Sequence, residues 1–143
     1  MIRIVIVEDQ MMLRDSLATT ISLQKDMQVA ATLGDAEDAL AAVEKHNANC
    51  VLLDVCTEND SSGIVAAKRI KEALPDVRVI IMTGMPEITF IEQARQAGAD
   101  SFVYKNVGTG ELLSIIRSTM EGYCTFPRAQ ESVFSDAAAL TDV

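Results

Sequence analysis

Aromatic residues, cysteines and long apolar runs are all in short supply in this chain of 143 residues. With no Trp and only 4% aromatics, aliphatic side chains and Ala must fill the core. A chain of this length can bury one without a disulfide or a structural metal. The three cysteines, Cys50, Cys56 and Cys124, form no Cys-x-x-Cys pair, and His46 is the single histidine. Neither a zinc site nor a disulfide framework follows from that, and an odd count points to reduced thiols in the cytoplasm. No apolar run approaches the roughly 20 residues that span a bilayer, so no membrane partner is expected. Met1-Ile2-Arg3-Ile4 runs straight into a strand pattern rather than a cleavable leader. Positive charge is short too: 12 basic residues face 21 acidic ones, a net charge of -9. Such a surface repels a phosphate backbone, which argues against unaided binding of nucleic acid.

What is present is alternation. Short apolar, β-branched runs occur at 2–7, 28–33, 50–53, 78–82 and 101–104. They lack clean period-two patterning, as strands buried on both faces do. Between them lie helical stretches. Leu13, Leu17 and Ile21 share a face. Asp35 is a cap for a helix with Ala36, Leu40 and Val43 on its inner stripe. Ser62 caps a helix over Gly63–Leu74 that Pro75 closes. Pro86 opens a helix over Pro86–Ala97 with Gly98 as its left-handed stop. Near Thr109 begins a last helix with Leu112, Ile116 and Met120 on one stripe, followed by Gly122. Five strand–helix repeats with right-handed crossovers predict a doubly wound α/β sandwich. After Gly122 the chain is less regular, with Pro127 and a weakly helical stretch at Arg128–Leu140.

Ligands in an open parallel sheet bind at the carboxyl ends of the strands. The first strand ends at Glu8-Asp9, the third at Asp54, the fourth at Thr83-Gly84 and the fifth at Lys105. Taken singly, each has an ordinary reading as a cap, a turn residue or a solvated charge. Together, three carboxylates at one edge repel one another unless a cation joins them, and hard oxygen ligands suit Mg²⁺. A hydroxyl and an ammonium beside them suit the oxygens of a phosphoryl group.

Val7-Glu8-Asp9, Leu52-Leu53-Asp54, Met82-Thr83-Gly84 and Phe102-Val103-Tyr104-Lys105, in this order and spacing, resemble the motifs of response regulator receiver domains. The likeness runs over about 2–120. It implies a flavodoxin-like (βα)5 fold with strand order 2-1-3-4-5, and a chain that accepts phosphoryl groups without being an enzyme in the ordinary sense. Asp54 would take a phosphoryl group from a sensor histidine kinase. Asp9 and Asp54 would ligate Mg²⁺ directly, Glu8 through water, and the backbone carbonyl of Cys56 would complete the protein ligands. Lys105 and Thr83 would bind phosphoryl oxygens, and Phe102 would be the aromatic that turns inward with Thr83 on activation. Tyr104-Lys105-Asn106, Glu111-Leu112-Leu113 and Ile115-Ile116-Arg117 resemble the NarL/FixJ type, in which a receiver precedes a LuxR-type helix-turn-helix domain. That implies a receiver at 1–122 and a linker at 123–143 toward a DNA-binding domain not contained in the chain. Transcriptional control and a phosphorylation-dependent homodimer are then expected.

Two features depart from the family pattern. Asn106 stands where most receivers have Pro. The loop Val55–Gly63 lacks the usual Met-Pro and reaches its Gly one residue late, which bears on the Cys56 ligand and on kinase docking. Other readings are weaker. Gly108-Thr109-Gly110 lacks a third Gly and follows the last strand, so it is not expected to cradle phosphate. A flavin carrier of the same fold needs a Ser/Thr/Gly-rich loop where Glu8-Asp9 stands. A Mg²⁺-dependent phosphatase with an Asp nucleophile carries Asp-x-Asp there. A degenerate receiver, acting as a phosphorylation-independent interaction module, is kept open by the altered loop.

Overall fold

A computed structural model describes residues 1–84 and 88–127. Five parallel strands, β1 (Ile2–Val7), β2 (Met27–Leu33), β3 (Cys50–Asp54), β4 (Arg78–Thr83) and β5 (Ser101–Tyr104), form one sheet in the order β2-β1-β3-β4-β5. The expected order and all five strands are thus present. The chain crosses first to one side of β1 and then to the other, so the carboxyl ends of β1 and β3 flank the point where strand order reverses.

The helices are α1 (Met11–Ser22), α2 (Ala39–His46), α3 (Gly63–Ala73), α4 (Ile88–Gln96) and α5 (Thr109–Met120). Local chemistry sets their ends. Asp35 does cap, but its carboxylate takes the Glu37 N–H of a short 3₁₀ turn at Ala36–Asp38, and α2 proper starts one turn later. Ser62 Oγ accepts the Val65 N–H at the start of α3, as its position predicts. Asn47 and Gly98 take left-handed φ values of 53° and 92° after α2 and α4. Pro86 and the stretch Arg128–Leu140 lie outside the described residues.

Two apolar layers sandwich the sheet. Ile4, Ile6, Leu52, Ile80, Met82 and Val103 pack against Ile21 of α1 and Leu112, Leu113 and Ile116 of α5. Val5, Val7, Val51, Leu53, Val79, Ile81 and Phe102 pack against α2, α3 and α4 through Ala39, Val43, Ala67, Ile70, Ile91 and Ala94. Every residue of β3 is buried, the strand that carries Asp54. Small Ala side chains on the helices let them approach closely, which suits a core poor in aromatics. The Cys50 thiol is buried there, and desolvation pushes its pKa up to about 12.

After Gly122, at φ 103°, the chain turns back along β5. Phe102 donates its N–H to the Thr125 carbonyl at 2.8 Å, and Thr125 donates to Ser101 Oγ at 3.0 Å. Ser101 Oγ meets Thr119 Oγ1 at 2.7 Å, and Thr119 donates to the Ile115 carbonyl, so a buried hydroxyl pair links β5, α5 and the returning chain. Phe126 lies 4.3 Å beneath the Arg95 guanidinium of α4, a cation–π contact. The first residues expected to be linker therefore lie against the sheet's edge strand and cover it.

Candidate functional site

The strand ends bring four of the expected residues together. Glu8 follows β1 and donates its N–H to Leu33, continuing the sheet by one residue. Its side chain is fully buried, and Oε2 accepts the Gln10 N–H at 2.9 Å. Burial raises the Glu8 pKa most, and the Asp54 charge adds to the rise, against hydrogen bonds from Lys105 and Gln10 that lower it. Asp54 closes β3 opposite Met82 and is 5% exposed. Asp9 is exposed at the rim, and one oxygen from each of Glu8, Asp9 and Asp54 lies within 4.8 Å of the others.

Lys105 enters this acidic cluster from the far strand. Its N–H bonds the Thr83 carbonyl at 2.8 Å, which fixes where its stem begins. Nζ then reaches Glu8 Oε1 at 2.7 Å and Asp54 Oδ2 at 2.7 Å. Burial alone would lower the Lys105 pKa. The hydrogen bonds and charges of Asp54 and Glu8 outweigh it and hold the pKa above its ordinary value. Thr83 ends β4 on the neighbouring strand and is buried. Gly84 is exposed beside the Lys105 stem.

Phe102 is not at this cluster. Its ring lies in the core against the Tyr104 edge, 6.3 Å centroid to centroid and 85° between planes. Cys56 exposes its side chain but has a fixed backbone, in an antiparallel bridge to Ser62 made by Gly63 N–H to Val55 O and Thr57 N–H to Ser61 O. Neither bond uses the Cys56 carbonyl. Gly108 and Gly110 have open space where a side chain would stand, so no close approach requires glycine there.

Several residues that hold the site were given no part in it by the sequence. Arg14 Nη1 donates to the Glu8 carbonyl at 3.1 Å. Thr57 is buried and ties the Asp54 loop to Ala36. Gly63 has a specific cause: a Cβ would overlap the Asp54 carbonyl oxygen, so α3 starts pressed against the backbone of Asp54. A Gly late in a loop is a visible sign of such contact. A lone Thr is not.

The donor set fits a hard divalent cation. Two carboxylates within 4.8 Å repel by at least about 3.5 kcal/mol at an effective dielectric of roughly 20. Lys105 offsets only part of that, with a single charge among three. Glu8 Oε1 is buried and meets the Lys105 ammonium at 2.7 Å, which uses one of its two acceptor sites. A buried carboxylate oxygen left with acceptor capacity beside two further carboxylates is what an oxygen-coordinated cation requires.

Comparisons with known proteins show the family and the fold. The family described as Response regulator receiver domain matches residues 4–117. The chain is 31% identical over 125 residues to a transcriptional regulatory protein, YxjL, of Bacillus subtilis, covering 87% of this chain and 57% of that protein. It is 28% identical over 120 residues to the oxygen regulatory protein NreC of Staphylococcus epidermidis, covering 84% and 55%. The chain thus spans about half the length of the curated relatives it matches. Among solved structures it is similar to a LuxR-family DNA-binding response regulator from Staphylococcus aureus, with TM-score 0.78, 28% identity and coverage of 84% and 99%. A LuxR-family two-component response regulator from Aurantimonas sp. SI85-9A1 shares the fold at TM-score 0.84 and 23% identity, covering 95% and 97%.

Proposed function

The chain belongs to the response regulator receiver domain family, and on that premise we propose that it accepts a phosphoryl group on Asp54 from the phosphohistidine of a sensor histidine kinase. Receiver domains are signalling proteins that interact with such kinases, not classical enzymes. The observation that supports the reading is the Lys105 ammonium, 2.7 Å from both Glu8 Oε1 and Asp54 Oδ2. A lysine so held marks where negative charge gathers at the sheet edge.

In the proposed reaction an Asp54 carboxylate oxygen attacks phosphorus. The P–N bond to the kinase imidazole breaks as the P–O bond forms, and the imidazole nitrogen leaves with the electron pair and takes a proton. Asp54, on a fully buried strand, presents its oxygen in a fixed direction, which removes orientational entropy from the step. Lys105 exchanges its bond to Asp54 for one to a phosphoryl oxygen, and the Thr83 hydroxyl donates to another. Glu8, Asp9, Asp54 and the Cys56 carbonyl are the groups proposed to hold Mg²⁺, which when bound would supply charge neutralisation at the phosphoryl oxygens. The same groups would let the domain assist its own phosphorylation and dephosphorylation.

Output is proposed to pass through Thr83 and Phe102 to the edge of the sheet, with 1–122 as the receiver and 123–143 leading toward a DNA-binding domain, in a cytoplasmic regulator of transcription that dimerises on phosphorylation. No helix among the described residues is long and apolar enough to cross a membrane.

The test is incubation with Mg²⁺ and acetyl phosphate, read by intact mass. The wild-type chain gains one phosphoryl group, and Asp54→Asn does not. An unmodified wild type would favour the phosphorylation-independent interaction module.

A further inference from the structure

The loop that departs from the family pattern is not slack. Thr57 Oγ1 accepts the Ala36 N–H at 2.8 Å and donates to the Ser61 carbonyl at 3.0 Å. Thr57 N–H bonds the same carbonyl, and Glu58 N–H bonds the Gly34 carbonyl at 3.0 Å. Further out, Asn59 Nδ2 donates to Asp35 Oδ2 at 2.8 Å. The loops after β2 and β3 are therefore laced into one unit. The contacts differ in consequence: Asp35 and Asn59 make theirs where water can substitute. Thr57 is 5% exposed, and its one hydroxyl serves as both acceptor and donor in a buried place. Removing it leaves the buried Ala36 N–H without a partner, which costs its desolvation.

Cys56 sits between two anchors. On one side Val55 donates its N–H to Met82 and accepts from Gly63, so it is part of the sheet. On the other side Thr57 is tied to Ala36. The Cys56 carbonyl, proposed above as a ligand, is fixed only as well as both anchors are. A proline could stiffen this backbone through its own ring. Here no proline lies in the loop, and a cross-loop hydroxyl is the rigid element instead.

We propose that Thr57 is a positioning residue for Mg²⁺: it touches neither metal nor phosphoryl group, but its hydroxyl sets the Cys56 carbonyl relative to Asp54. The proposal rests on the receiver reading above. Outer partners of metal ligands commonly contribute about 10- to 100-fold to affinity. Mg²⁺ alone is the probe, titrated onto the full chain and followed by calorimetry and by amide shifts of Glu8 and Cys56. Thr57→Val, which keeps the shape and loses the hydroxyl, should bind Mg²⁺ roughly tenfold more weakly. Thr57→Ser should return to within about twofold of wild type, since the hydroxyl is retained. A variant with lower thermal stability but wild-type Mg²⁺ affinity would show a structural role only and overturn the proposal, as would a Ser variant as weak as Val. A second measurement needs no variant. By reciprocity of coupled equilibria, saturating Mg²⁺ should slow exchange of the Ala36 amide severalfold in the wild-type chain, and an unchanged rate overturns the proposal. A wild type that binds no Mg²⁺ overturns the receiver reading of the cluster as well. Binding that is intact in Thr57→Val and lost in Asp54→Asn overturns the positioning role alone.

Discussion

Replacing Lys105 by Met keeps the aliphatic stem and removes the ammonium that pairs with both Glu8 and Asp54. Glu8 is fully buried and Asp54 nearly so, and each loses a partner at 2.7 Å. Removing one member of a buried ion pair costs about 3–5 kcal/mol. The Lys105 side chain is 18% exposed, so the lower end, about 3 kcal/mol, is expected. In urea, with a slope of about 1.5 kcal/mol per molar, that moves the midpoint down by about 2 M. The loss should depend on pH in a definite sense. Burial already raises the Glu8 pKa above 4.5, and without Lys105 it rises further. A carboxyl with a raised folded pKa binds more protons when folded than when unfolded, so stability falls as pH climbs from 4.5 through the folded value. The Lys105 pKa is raised as well, so its own contribution is fully present below 10.5 and constant across the range tested. The deficit of Lys105→Met should thus be smaller at pH about 5.5 than at pH about 8, both clear of the isoelectric point near 4.5. The assay is urea unfolding followed by circular dichroism without Mg²⁺, then with it. Added Mg²⁺ should recover part of the loss by binding the folded state alone. A midpoint equal to wild type at pH about 8, or a deficit identical at both pH values, would refute the account of the cluster as an electrostatically loaded site.

Two further outcomes follow from burial and the edge of the sheet. Under native conditions at neutral pH, alkylation should mark Cys56 and Cys124, which are exposed, and spare Cys50, whose buried thiol has a pKa of about 12; mass spectrometry should find the third adduct only after unfolding. Ser101→Ala should cost about 1–2 kcal/mol by leaving the Thr125 N–H without its acceptor and taking from Thr119 Oγ1 one of its two hydrogen bonds, and should speed hydrogen exchange at Thr125 without slowing phosphorylation of Asp54.

Much of the architecture was legible because it follows from periodicity. Runs buried on both faces demand helices above and below, and right-handed crossovers leave few sheet orders. Strand limits came within one residue, as at β3, where the sheet includes Asp54 itself. Helix starts were less legible. Asp35 looked like an ordinary cap, but the Ala36 N–H is claimed by Thr57, and the first turn tightens to 3₁₀ before α2 begins. That bond joins residues 21 apart in sequence, and local propensity carries no trace of it. The return of Thr125 to β5 escaped notice for the same reason, since nothing in Thr-Phe-Pro says which strand it will cover.

At the site, residue identity and residue support separate cleanly. Glu8, Asp54 and Lys105 could be named in advance because a parallel sheet delivers its strand ends to one edge, and only a few charged types stood there. How they are held could not. Gly63 gave a partial sign, because a glycine in a loop means either a turn or a close approach, and here it is the approach to Asp54. Thr57 gave none. The missing Met-Pro left the conformation of the loop open. In the structure Asn59 and Asp60 take left-handed φ values of 61° and 57°, and Thr57 turns inward and bonds across to Ala36. Left-handed conformations in non-glycine residues carry strain that surrounding contacts must offset, and Asn and Asp tolerate them best. The loop therefore exchanges a covalently stiff turn for one held by buried hydrogen bonds. Its rigidity should then depend on a single hydroxyl in a way that a proline-containing loop would not.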